Sequence, residues 1–126
     1  MLETGIKGTK TIAVTEENTA KAYGSGELDV FATPAMIALI EQTAWQSVAG
    51  ELADGEGTVG TKVDVSHISA TPIGMSVRCE TKLIEIDRRR LVFAAEVYDD
   101  AGKIGEGTHE RFLIQNESFL QKAKEK

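Results

Sequence analysis

Residues 30–50 read VFATPAMIALIEQTAWQSVAG, and the fold turns on this stretch. Proline suits the first helical position, where its missing N–H would be unpaired anyway, so Thr33-Pro34 predicts a helix start with Thr33 as its cap. Ala35, Met36, Ile37, Ala38, Leu39, Ile40, Ala44, Trp45 and Val48 then leave little of the circumference polar. A helix apolar on most sides is a buried one. Gly50, or the turn Asp54-Gly55-Glu56-Gly57, is placed to end it.

Outward from this helix the pattern changes. Toward the amino terminus, Thr9–Val14 is rich in β-branched residues and predicts a short strand. Thr15 is an N-cap for a short helix through Ala22, with Gly24 as its stop. Toward the carboxyl terminus the hydrophobic period drops from 3.6 to 2. Strands are predicted over Thr58–Ile68, around Val77–Leu83, over Leu91–Val97 and over Lys103–Gln115. Leu83-Ile84 breaks phase and predicts a bulge. Asp87-Arg88-Arg89-Arg90 and Asp99-Asp100-Ala101-Gly102 read as hairpin turns, and Asn116 opens a C-terminal helix. One apolar helix and one antiparallel sheet bury each other only if the sheet curves around the helix. The expectation is an α+β domain spanning residues 1–126, a long central helix wrapped by a curved antiparallel sheet. Gly105 and Gly107, two apart on the last strand, leave room for close approach or a bend.

Composition narrows the function classes. The 126 residues are 41% hydrophobic and 27% charged, an ordinary globular balance for one domain. The longest uncharged apolar run, Val30–Ile40, is about half of what a membrane span needs, so no membrane partner is expected. The start MLETGIKGTK lacks the apolar core of an export signal, and one cysteine, Cys79, fits a reducing cytoplasm. Two histidines and one cysteine argue against a zinc site, and no metal or cofactor is called for. Fourteen basic against twenty acidic residues give a net charge of −6, which argues against nucleic acid as a partner. Small organic substrates remain.

Within that frame a few residues carry chemical interest. Thr33 is a cap by default, but a hydroxyl at a helix start also sits where free N–H groups stabilise negative charge. Glu41 is the one charged residue between Asp29 and Glu51, with Ile37, Ala38, Ala44 and Trp45 as same-face neighbours. Such a carboxylate must be paired, held protonated, face a polar cavity, or point out at an edge. His67 ends a predicted strand before a loop, a position suited equally to a general base or to a satisfied structural histidine. His109 falls mid-strand and is assigned a structural role. Gly60 inside a strand implies close packing first, with its N–H as a candidate oxyanion donor. Arg111 and the cluster Arg88–Arg90 are among the cations that could meet an anionic substrate tail.

Several pieces coincide with one family. VFATPAMIALIEQ, GTKVDVSHISATPIG and GEGTHERF resemble the fluoroacetyl-CoA thioesterase branch of the hotdog-fold thioesterases, over about Gly5 to Phe119. The resemblance implies a hotdog fold and hydrolysis of an acyl-CoA, small or short-chain, to carboxylate and free CoA. It implies Thr33, Glu41 and His67 as the catalytic set and Gly60 and Arg111 at the substrate. Whether Glu41 orients His67, activates water or attacks the carbonyl stays open. The resembled enzyme carries a phenylalanine-rich lid ahead of the helix; here residues 22–29 read AYGSGELD, which implies other acyl-CoAs as substrates. The uncovered helix flanks and sheet edge predict a homodimer with sites at its interface, assembly to a tetramer being left open. The competing expectations are a noncatalytic acyl-CoA binding protein and another hotdog enzyme acting on thioesters.

Overall fold

In the computed structural model, which describes all of residues 1–126, Lys7–Ala13 forms strand β1. A 3-10 turn at Glu16–Asn18 and a one-turn helix, α1 (Ala20–Tyr23), follow. The long helix α2 covers Thr33–Ala49. Strands β2 (Glu56–His67), β3 (Ser76–Asp87), β4 (Arg90–Asp99) and β5 (Lys103–Gln115) come next, and α3 (Asn116–Lys124) closes the chain. The five strands form one antiparallel sheet in the order β1-β3-β4-β5-β2. β1 and β2 are therefore its free edges.

The expected short helix from Thr15 to Ala22 is two pieces. Thr15 accepts from Glu17 N in a reciprocal cap with Asn18, but Thr19 then adopts an extended backbone and caps α1 through Ala22 N. Thr19 leaves the helical basin because it bridges to Phe31, which ties this segment to the chain just ahead of α2. Gly24 ends α1 with φ +70°, the left-handed conformation that glycine adopts without cost.

Helix α2 buries Ala35, Met36, Leu39, Ile40, Thr43, Ala44 and Val48, a stripe at three- and four-residue spacing. The expectation of a helix buried nearly all round is corrected. Trp45 is 44% exposed and Ile37, Ala38 and Glu41 are half-buried, because one five-stranded sheet covers only one side of a helix. Met36, Leu39 and Ile40 pack with Val77, Cys79, Val97 and Ile104 at one end of the sheet. Ala44 and Val48 pack with Leu83, Leu91 and Phe93 at the other. Cutting Met36, Leu39 or Ile40 to alanine costs about 2–5 kcal/mol.

The sheet details follow the sequence. The phase break at Leu83-Ile84 is a bulge, which turns Ile84 outward. A second bulge lies between Gly60 and Lys62 on β2. The β4–β5 hairpin is held by Asp99, whose carboxylate accepts from Ala101 N, Gly102 N and the Thr71 hydroxyl. At Gly105 a side chain would collide with Met36 Sδ, so β5 lies directly against α2 there.

Candidate active site

Thr33 is the first residue of α2; Ala32 occupies the cap position with an extended backbone and makes no side-chain cap bond. This corrects the assignment of Thr33 as the cap, and it leaves the Thr33 hydroxyl free. That hydroxyl lies 2.8 Å from His67 Nδ1. His67 is the last residue of β2, and its ring stands edge-on to Phe31 with centroids 6.4 Å apart. Its Nε2 is buried and has no hydrogen-bond partner. Burial holds the imidazole below its ordinary pKa and favours the neutral ring, outweighing the Ser69 backbone group that favours the charged form.

Beside this pair lies a cavity of about 320 Å³, lined by Thr33, His67, Phe31 and Ile68 with the small residues Ala20 and Ser25 among its other walls. A hydroxyl, a neutral imidazole and a cavity next to a helix start make a place where a proton can be moved beside a polarised carbonyl.

Glu41 sits elsewhere. Eight residues at about 1.5 Å each put it roughly 12 Å further along the axis from Thr33. It does not line the cavity beside His67. Its carboxylate Oε2 lies 3.7 Å from Arg111 Nη1 and remains 42% exposed. Arg111, 6% exposed, donates from Nε to the Thr58 hydroxyl at 2.8 Å, from Nη2 to the Thr58 carbonyl at 3.0 Å, and from Nη1 to His109 Nε2 at 3.1 Å. His109 in turn hydrogen-bonds through Nδ1 to the Lys62 carbonyl at 2.8 Å.

Gly60 lies against this second cluster. A Cβ there would stand 2.7 Å from Glu41 Oε2, 3.2 Å from His109 Cε1 and 3.3 Å from Arg111 Nη1. Its missing side chain is the space in which the three groups meet.

The chain thus brings Thr33 to His67, and Glu41 to Gly60 and Arg111, and it does not join the two groups within itself. Sequence reasoning passed over Thr58 and gave His109 only a structural part. The signal was there in the alternation of β5: His109 and Arg111 share a face, and pair across β2 with Val63 and Gly60.

A long helix packed against one five-stranded antiparallel sheet is the hotdog architecture of the thioesterase superfamily. Residues 14–117 match the family of fluoroacetyl-CoA-specific thioesterases. A fluoroacetyl-CoA thioesterase of Streptantibioticus cattleyicolor is 39% identical over 98 residues, covering 78% of this chain and 70% of that protein. The structure of the fluoroacetyl-CoA thioesterase FlK superposes with a TM-score of 0.93 at 32% identity, over 100% of this chain and 98% of that one. That enzyme has also been crystallised as a threonine-to-serine variant in complex with acetyl-CoA. A thioesterase superfamily member of Thermus thermophilus superposes with a TM-score of 0.88 at 25% identity, over 98% of this chain and 93% of the other. The chain belongs to the fluoroacetyl-CoA-specific thioesterase family, and with it to the acyl-CoA thioester hydrolases.

Proposed function

We propose that this protein, acting as one domain over residues 1–126, hydrolyses a short acyl-CoA to a carboxylate and free CoA, with Thr33, Glu41 and His67 as its catalytic set. The observation that carries this is the 2.8 Å Thr33–His67 hydrogen bond at the wall of a cavity, with His67 Nε2 buried and unpaired. Water adds to the thioester carbonyl, His67 takes a proton during attack, and it returns one to the departing CoA thiolate. The N–H groups opening α2 and that of Gly60 are the candidate donors to the oxyanion. Arg111 aims the Glu41 carboxylate, which orients the attacking water or instead attacks the carbonyl itself, expelling CoA and forming an anhydride that water then hydrolyses.

The two groups of residues meet in a homodimer. β2 is a free edge, and the α2 flank bearing Ile37, Glu41 and Trp45 is only partly covered. Pairing β2 with its copy about a two-fold axis near Val63-Asp64 sets His67 against the partner's Gly60 and buries that flank. The Thr33–His67 pair of one protomer then shares a site with the Glu41–Arg111 cluster of the other. The buried, unpaired Cys79 fits a cytoplasmic setting.

The acyl group is small, and fluorine is not required. Ala20 and Ser25 line the cavity, and no aromatic side chain from residues 24–29 narrows it. Free-thiol release from a panel of acyl-CoAs tests this. Acetyl-, propionyl- and butyryl-CoA are expected to turn over with kcat/KM within about tenfold of fluoroacetyl-CoA. Tight CoA-thioester binding with no thiol release would make the protein a binder and overturn the proposal.

A further inference from the structure

We propose that His109 is a positioning residue for thioester hydrolysis: it fixes the Arg111 guanidinium, and through it the Glu41 carboxylate. The inference rests on the thioesterase reading above and assigns a part to a residue which that reading leaves in the core.

The Lys62 carbonyl only accepts, so His109 Nδ1, at 2.8 Å from it, carries the hydrogen. The neutral ring then has its lone pair on Nε2. A guanidinium only donates, and Arg111 Nη1 at 3.1 Å meets that lone pair. Both contacts require the same tautomer. Phe93 lies along the ring with centroids 6.4 Å apart and planes at 29°, which keeps it from turning.

Arg111 is held on its remaining sides by Thr58, through Nε to the hydroxyl and Nη2 to the carbonyl. Only Nη1 faces both His109 and Glu41, at 3.1 and 3.7 Å. Loss of the His109 acceptor frees one Nη1 hydrogen and allows the guanidinium plane to tilt toward or away from the carboxylate. Gly60 shows how closely this is built, since one absent Cβ would touch Glu41, His109 and Arg111 together. A histidine 1% exposed could be replaced by leucine if packing were its only task, and packing alone gives no reason for this orientation of its two nitrogens.

Asparagine and glutamine separate the two contacts. His109→Asn places its amide near the Nδ1 position, so it serves Lys62 but falls short of Arg111. His109→Gln reaches to the Nε2 position and restores an acceptor for Arg111. Steady-state hydrolysis of acetyl-CoA by folded dimers is the readout. His109→Asn is expected to lower kcat by about 10- to 100-fold with KM within about twofold, and His109→Gln to recover kcat to within about fivefold of wild type. In a Glu41→Gln background, His109→Asn should cost less than about twofold, because the group it positions is already gone. Equal kcat for the Asn and Gln variants, or the same loss in both backgrounds, would overturn the inference while leaving the thioesterase intact. An inactive wild type overturns the thioesterase reading and this role with it.

Discussion

Thr33 Oγ1 and His67 Nδ1 stand 2.8 Å apart, joining the first turn of α2 to the last residue of β2 across 34 positions of sequence. The contact fixes the imidazole so that its other nitrogen, Nε2, is the one left without a partner. His67→Ala is expected to lower kcat/KM by about 10²–10⁴-fold, the usual worth of a general acid–base group. Thr33→Ser should stay within about tenfold of wild type, because the hydroxyl remains, while Thr33→Val should lose about 10²-fold. Initial rates on acetyl-CoA, beside circular dichroism to confirm folding, check both.

The pH dependence has a definite sign. His67 and His109 are both held below the ordinary imidazole value near 6.5, His67 by burial, His109 by burial and by the Arg111 charge. His109 is faced by Arg111 and Glu110 from β5, by Glu41 from α2, by the Lys62 backbone carbonyl from β2, and by the uncharged Phe93 from β4. The acid limb of kcat/KM should therefore fall below about pH 6.5. Stability follows the same direction: the unfolded chain takes up protons before the folded one. The histidine contribution is complete above about pH 6.5 and declines as pH falls from there toward the folded values. Urea midpoints measured between pH 8 and pH 5 should drop on the acid side, and His67→Gln should flatten part of that slope.

Gly60→Ala tests whether the Glu41 cluster tolerates crowding. The new methyl meets Glu41 Oε2 first, at 2.7 Å, and that oxygen is the far end of a flexible, partly exposed side chain. The fold should survive with a loss of no more than about 1–2 kcal/mol. Activity should fall by at least about tenfold, because Glu41 must swing away from Arg111. Parallel unfolding and rate measurements separate the two effects.

A composite site predicts complementation between inactive variants. Glu41→Gln and His67→Ala homodimers should each be nearly inactive. After subunit exchange about half the dimers are mixed, and one of the two sites in each mixed dimer is intact, so activity should return to about a quarter of wild type. No recovery after proven exchange would place Glu41 and His67 of one chain in the same site and remove the shared-site arrangement.

Much of the architecture was legible from local pattern. The Pro34 start and the apolar stripe of α2, the period-two strands, the Leu83-Ile84 bulge and the Asp99 hairpin all depend on neighbours within a few residues, which is where sequence periodicity carries information. The amino-terminal segment was less legible, since the break at Thr19 is imposed by a bridge to Phe31, twelve positions away. The cap position of α2 was less legible for a related reason. A hydroxyl before Pro34 looks like a cap until His67 is brought beside it.

The candidate residues divide along the same line. The sequence determined that Glu41 stands out of place in an apolar helix and that Gly60 needs a reason to sit in a strand, because an unpaired carboxylate and a missing side chain are costs visible without coordinates. Only the tertiary structure decided their partners: β2 and β5 pair so that Gly60 lies opposite Arg111, and α2 crosses so that Glu41 reaches the same point. It also decided that His109, a core histidine by position, meets Arg111 through one nitrogen and β2 through the other. Periodicity states which face a side chain occupies. Which atom it meets there depends on strand register and on where the helix lies against the sheet, and these are set by the packing of the whole chain.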